Sequence, residues 1–560
     1  MTVKFSGYAK KSEADYNKHK EEQEVNFMGG ISYSVNPLLE LRMVAASSIF
    51  GESSYYKDSG VKKVSSMSKD KVNELKDKKV LNTTTESFIK ACDSALDYDF
   101  KGTLELAKEL RKEYLMRLNP ALIAVRAAMH KNRAEFNAEH KDFMKQCLKD
   151  IINIPTDIWN QFELWMFFNG SKNKLPTILK KVWADKLAAT KKYQLAKYKT
   201  TAHIIDLVRI CHANSESLNE LMKTGNIVVT EEESTWEKLR SQKKKWEEIF
   251  ESTYVPHMAI LRNLRGIFTE SDNKSLKEQV LKMLEDGVPG GKQFPFRYYT
   301  AKQEIEKAGR INFKSDILDC LERCMDKAME NFPKLKGKTI CLSDNSGSAW
   351  GTFNSEYGSV VVANIDNLSS IMTCINSEEG EIGIFGDRLE IVPVNKRDGV
   401  LSQLERVESK YSKSIGGSTE NGIWLFFRDA IKNKSFYDRI VIYSDMQAGH
   451  GGLYGIRPED YSKYKYGGSV SHYIDVLKLV QEYRRTVNPK VNVFSVQTAG
   501  YKNSVVPENE YRTSILTGWT GKEAVYMKAM EDIWNQMDGS SEDNTKEVSE
   551  KEIKVKTYHK

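Results

Sequence analysis

At 560 residues the chain exceeds what one ordinary hydrophobic core accommodates and calls for two or three domains. Its 84 Lys and Arg against 77 Asp and Glu leave a formal charge of +7, too mild at this length to establish a polyanion partner by itself. The seven cysteines, an odd number without a C-x-x-C pair, argue against a disulfide framework or thiolate metal site and fit reduced thiols in a cytoplasmic protein.

Residues 1–16 are polar and lysine-rich, and no later stretch reaches the roughly 18 apolar residues of a membrane span, so neither secretion nor membrane insertion is expected. From Pro37 to Phe332 the pattern is helical. Leu104–Leu118, Ala121–Met129, Ile178–Leu187, Ile204–Cys211, Ser275–Leu284 and Ile317–Met329 place apolar residues at helical spacing, with charges between them. Breaks such as Asn119-Pro120 and Asn153-Ile154-Pro155 separate units of helix-pair size, which predicts HEAT-like stacking of helical hairpins. Cys320 and Cys324 fall on one face of such a helix, where core packing explains them.

Near Lys334–Lys338 the texture changes. Thr339–Leu342, Ser359–Ile365, Glu381–Phe385, Ile440–Tyr443 and Val491–Val496 read as strands, alternating with helices at Asn367–Ile375, Asn421–Ile431, His472–Arg485 and Lys522–Met537. That rhythm predicts a doubly wound α/β domain with a mostly parallel sheet. The expected division is a helical-repeat domain over 1–335, an α/β domain over 336–538 and a charged, disordered tail over 539–560.

Two apolar strands end in acids, Asp344 and Asp445, and both carboxylates are expected at one sheet edge, where they repel without a cation. Asp344-Asn345-Ser346-Gly347-Ser348 adds hydroxyls at alternate positions, and the glycine-turn loop Ser414–Glu420 brings Thr419, with Ser418 as its competitor. An oxygen set of Asp344, Ser346, Ser348, Thr419 and Asp445 suits Mg²⁺, with Mn²⁺ or Ca²⁺ possible and zinc disfavoured. The plainer reading is that Asp344, Ser346 and Ser348 cap the helix that follows. No nucleophile and general base are poised together, so an enzyme is not expected.

The motif D-x-S-x-S, a later loop threonine and an aspartate closing a central strand resemble the metal-ion-dependent adhesion site (MIDAS) of von Willebrand factor A domains, over about Lys338–Asn535. Four helical segments, Leu38–Arg42, Ser48–Tyr56, Ala202–His212 and Met258–Arg265, are similar to those of the TROVE module. Together the two halves resemble the Ro autoantigen family, in particular its bacterial members. The resemblance implies an all-α HEAT-like ring plus a Rossmann-like von Willebrand factor A domain. It further implies binding of Y-like small non-coding RNA on the outer surface and of misfolded RNA 3′ ends in the central hole, with an exoribonuclease as possible associate in RNA quality control or degradation. A ring closed by one chain needs no second copy, so a monomer is expected. Where vertebrate relatives have Ser-His-Lys-Asp, this chain reads Ala202-His203-Ile204-Ile205-Asp206, and the lysine is absent.

The residues themselves offer a basic surface. Ser171–Thr200 carries Lys172, Lys174, Lys180, Lys181, Lys186, Lys191, Lys192, Lys197 and Lys199 against Asp185 alone, interleaved with Tyr193 and Tyr198, a composition suited to phosphate contact and base stacking. A solvated lysine face is the structural alternative. His203, Arg209, Arg262 and Arg265 complete the expected RNA contacts, and Lys243–Lys245 beside Trp236 and Trp246 form a second basic group. The competing function is a metal-dependent protein-interaction scaffold whose A domain takes an acidic protein ligand. The glycine- and tyrosine-rich stretch Gly449–Gly468 reads as a long loop after Asp445.

Overall fold

The computed structural model describes residues 23–25, 31–47 and 83–540, apart from 141, 171–172, 229–234, 292, 331, 348, 351, 356–357, 411–418, 447–474, 499–503, 508–509, 518–520 and 522. Expectations for Ser48–Tyr56, Lys172, Ser348, Ser418, the whole of Gly449–Gly468 and the tail beyond Ser540 therefore lie outside the described residues. Among the described residues no helix is long and apolar enough to cross a membrane.

Two compact units are present. One comprises Asn36–Val255 with Asn354–Gly358; the other comprises Pro256–Phe353, the chain from Ser359 onward and the described part of the first 35 residues. Contacts thus divide the helical half at Val255/Pro256, whereas the change of periodicity falls near 335.

In the first unit each helix packs on helices one to three places further along the chain. Phe100–Lys112 contacts Leu118–Met129 and Phe143–Ile151, Leu118–Met129 contacts Pro155–Asn169, Phe143–Ile151 contacts Thr177–Ala188, and Thr177–Ala188 contacts Ile204–Cys211. Such short-range packing is that of a helical solenoid. The helix expected at Leu104–Leu118 is shifted towards the N-terminus. Asp99 caps it by accepting from the Gly102 N–H at 2.8 Å, and it ends at Lys112, before Leu115 takes a left-handed φ of 58°.

The second unit opens with helices His257–Glu270, Lys274–Asp286, Phe296–Lys307 and Lys314–Met329, then continues into a sheet. Its strands are β1 (Leu335–Asp344), β2 (Ser377–Phe385), β3 (Leu389–Pro393), β4 (Arg439–Ser444), β5 (Asn492–Gln497) and β6 (Thr513–Thr517), in spatial order 6-5-4-1-2-3. All pairings are parallel except β2 with β3. Strands β1, β4 and β5 end in fully buried runs, which is why they read as short continuous apolar stretches. The strand expected at Ser359–Ile365 is corrected: only Gly358–Val361 is extended, and helix Val362–Asn376 begins at once. That helix is buried almost all round, and an apolar run of this kind does not distinguish strand from helix. The edge strand β3 and strand β6 were not anticipated.

The helices ahead of the sheet are tied to it by polar contacts. Glu322 accepts from the Leu401 N–H (2.9 Å) and the Ser402 N–H (3.1 Å), and Asp326 from the Val400 N–H (3.2 Å), so helix Lys314–Met329 supplies the N-terminal caps of helix Val400–Lys410. Tyr299 donates to Glu408 at 3.1 Å and accepts from Asn364 at 2.9 Å, while Lys302 bonds both Glu306 and Glu405. Burial pushes the Glu408 carboxyl up to about 7, and burial likewise raises Glu322 and Asp326.

Candidate metal centre and nucleic-acid interface

Strand order reverses around β1, which lies between β2 and β4, so a crevice is set at the carboxyl ends of β1 and β4. Asp344 closes β1 and Asp445 directly follows β4; both are buried. One Asp344 oxygen accepts from the Ser346 N–H at 2.8 Å and the other from the Ser444 hydroxyl. The same Ser444 hydroxyl accepts from the Met446 N–H at 2.9 Å, and Gln497 donates to the Asp445 carbonyl at 3.2 Å, which fixes the loop after β4. Burial first, and then the charge of Asp445, pushes the Asp344 carboxyl up to about 7. The first turn of helix Thr419–Asn433 reaches the same edge: a side chain at Gly422 would meet Phe385, the register partner of Asp344, at 2.1 Å. The first turn of that helix therefore lies against the end of β2.

The structure thus brings Asp344, Ser346 and Asp445 together at the ends of β1 and β4. Two buried carboxylates beside hydroxyl oxygens, each acid discouraging ionisation of the other, fit a hard divalent cation. Among the described residues no three His, Cys, Asp or Glu side chains lie close enough to hold one ion directly. Asn345 takes no part in the crevice. It donates to Asn367 at 2.9 Å and accepts from it at 3.1 Å, and Ser343 also donates to Asn367 at 2.6 Å. This lock seats helix Val362–Asn376 on the end of β1. Asp366, immediately before Asn367, is fully buried, with the Thr498 hydroxyl beside its carboxylate. Sequence reasoning missed it, because an acid in an apolar helix carries no motif.

The basic segment is organised by helix Pro155–Asn169. Ile154 is extended, as a residue before proline must be, and Asp157 accepts from the Asn153 and Ile154 N–H groups at 2.9 and 3.1 Å while pairing with buried Arg111 at 2.8 Å. The helix is joined to Thr177–Ala188 by Trp183 donating to Gln161 at 2.8 Å. It also presents Trp159, on which the exposed His203 ring stacks with centroids 4.3 Å apart at 26°. His203 holds a left-handed φ of 43° ahead of helix Ile204–Cys211.

The lysines separate into two sets. Lys197 pairs with Glu237 at 2.5 Å, Lys192 with Glu220 at 3.0 Å, and Lys199 donates to the Gly225 carbonyl at 2.9 Å. Lys174, Lys180 and Lys181 have no ion pair among the described residues, and Lys180 lies near enough to Cys211 for its charge to act on that thiol. Helix Thr177–Ala188 packs on Ile204–Cys211, so these cations share a region with His203 and with Arg209, itself 3.9 Å from Asp206. In the other unit, Arg262 and Arg265 are both exposed on helix His257–Glu270, Arg265 lying 3.7 Å from Glu304. Of the second basic group, Lys244 pairs with Glu248 at 2.8 Å, and Trp236 stacks on Trp246 under Arg240.

Residues 221–330 match the TROVE domain. A 94-residue stretch is 34% identical to telomerase protein component 1 of Mus musculus, spanning 16% of this chain and 4% of the mouse protein. The crystal structure of the Deinococcus radiodurans RO (RSR) protein is similar over 79% of this chain and 93% of that one, with a TM-score of 0.52 at 13% identity. Within this chain the likeness to a TROVE domain is thus confined to residues 221–330. The fold, helical repeats followed along the chain by a mixed α/β sheet, is similar to that of the Deinococcus protein. Of the four segments quoted for the resemblance, Met258–Arg265 lies within the matched stretch.

Proposed function

We propose that this protein binds RNA through its helical repeats in the manner of Ro proteins, with no catalytic step of its own. The observation that carries the reading is the His203 ring held exposed on Trp159, in the packed region that bears Lys180 and Lys181, neither of them ion-paired among the described residues. A stacking platform beside free cations suits unpaired bases and phosphates, and a surface of this kind reads backbone geometry more than sequence. The ligands would be small structured RNAs of the Y type and single-stranded 3′ ends of misfolded RNA. The role would be RNA quality control or degradation alongside an exoribonuclease in the cytoplasm. Binding of a hairpin RNA with a single-stranded 3′ tail, across a salt series and beside a tailless control, tests this; absence of binding at low salt refutes it.

The buried Asp344–Asp445 pair favours a second role for the α/β domain. A divalent cation, Mg²⁺ first, would be held by Asp344, Ser346, Ser348, Thr419 and Asp445, and its open position would take a carboxylate of a protein partner. Support comes from the mutual repulsion of the two buried acids, which a cation relieves. Mg²⁺ is expected to raise the melting temperature of the protein and to lose that effect in Asp344→Ala; an Mg²⁺ effect that survives the substitution refutes the assignment.

A further inference from the structure

We propose that Asp366 is a third carboxylate of the cation centre, acting on the ion through a bound water, so that the site presents three acids where the sequence motif supplies two. The inference rests on the cation reading of the Asp344–Asp445 crevice. Three observations lead to it. First, Asn367 is locked to Asn345 and Ser343, which sets the N-terminal turns of helix Val362–Asn376, and with them Asp366, at the end of β1. Second, Asp366 is fully buried, and the Thr498 hydroxyl is the one donor that acts on it among the described residues. Third, two buried hydroxyls stand nearby: Ser370, unpaired one turn further along the same helix face, and Thr498, which meets Asp366 and whose N–H bonds the Ser444 carbonyl at 3.1 Å, so that it lies beside Asp445.

A buried carboxylate met by a single hydroxyl is costly, and native interiors meet that cost with ordered water or an ion. Burial and then the charge of Asp344 push the Asp366 carboxyl well above its ordinary range, the Thr498 hydroxyl works the other way, and Asp445 adds a smaller push upward, so the three acids share one neighbourhood. Direct ligation by all three is not available among the described residues, since no three acids converge closely enough. A water between Asp366 and the ion fits instead. Asp366, Ser370 and Thr498 provide the two to four polar partners that a buried water needs, and the ion would complete its shell. Such outer carboxylates set metal affinity without touching the metal. Asp366 is therefore a positioning residue. Its added charge also favours ions of higher charge, so a trivalent lanthanide gains more from it than Mg²⁺ does.

The test uses the full chain and the near-isosteric Asp366→Asn variant, with Mn²⁺ and Mg²⁺ binding read by calorimetric titration and Tb³⁺ binding by luminescence. The expected result is roughly 10- to 100-fold weaker Mn²⁺ binding, a larger loss for Tb³⁺, and a cation-free melting temperature no lower than wild type. Thr498→Val is the second variant and should weaken Mn²⁺ binding several-fold. If wild type binds Mn²⁺ and Asp366→Asn binds it equally well, the role of Asp366 is overturned while the cation centre stands. If wild type binds neither Mn²⁺ nor Mg²⁺, the cation reading itself falls and takes this inference with it.

Discussion

Replacing Lys174, Lys180 and Lys181 together by glutamine removes three cations that no acid neutralises among the described residues. Single-stranded nucleic acid releases about 0.7 counterion per phosphate neutralised, so three lost contacts lower the slope of log K against log salt by about 2, which is roughly 100-fold in affinity near 0.1 M salt. The matched control changes Lys192, Lys197 and Lys199, which already bond Glu220, Glu237 and the Gly225 carbonyl. Each of those must break a contact to reach a phosphate. Exposed pairs of this kind are worth about 0.2–1 kcal/mol, so the control should lose only a few-fold in affinity. Fluorescence anisotropy with a labelled tailed hairpin, from about 0.05 to about 0.3 M KCl, measures both slopes. Equal slope losses in the two triple variants, or an unchanged slope in the first, would refute the division of the lysines into free and engaged sets.

His203→Ala should weaken RNA binding by about 1–3 kcal/mol if the ring stacks on a base, with the melting temperature almost unchanged because the side chain is half exposed; affinity and thermal melts together check this. Glu408 holds in the folded state a proton that the unfolded chain releases between its ordinary 4.5 and about 7, so its contribution to stability is lost as pH rises through that window. Glu408→Gln should flatten the fall in urea midpoint between pH 5 and pH 8 by the equivalent of roughly 1–3 kcal/mol. Arg439, fully buried in β4, pairs with Glu531 through two bonds of 2.5 Å. Glu531→Leu leaves that guanidinium without its partner and should cost about 3–5 kcal/mol in chemical denaturation, whereas Arg439→Met combined with Glu531→Leu should recover much of the loss.

The strands of the sheet were legible because a strand buried on both faces is a short apolar run, and Asp344 and Asp445 were legible because each stands where such a run stops. Neither kind of signal exists for Asp366. It reaches the crevice only because the Asn345–Asn367 pair docks its helix there, a contact between residues 22 apart in the chain. The lysine segment misleads for the same physical reason. Read locally it has a single acid, but Glu220 and Glu237 fold back onto it from later helices. Strand β6 and the bridge from Tyr33 to Ser504 depend on pairing between distant segments, which no local periodicity records. The stack of His203 on Trp159 joins two helices in the same way; only the histidine carried a signal, through its place in the TROVE-like segment.

The caps that Glu322 and Asp326 give to helix Val400–Lys410 bear on how such a protein can be inherited and rearranged. Periodicity places a seam near 335, yet an α/β half transplanted at that seam would arrive with the opening amides of one helix bare and the Tyr299–Glu408 contact severed. The last helices before the seam belong to the folding unit of the sheet. Shuffling of these two halves between genes would therefore carry the segment from about Pro256 along with the α/β half, and a recombinant joined later in the chain would have to evolve new caps before it folded well.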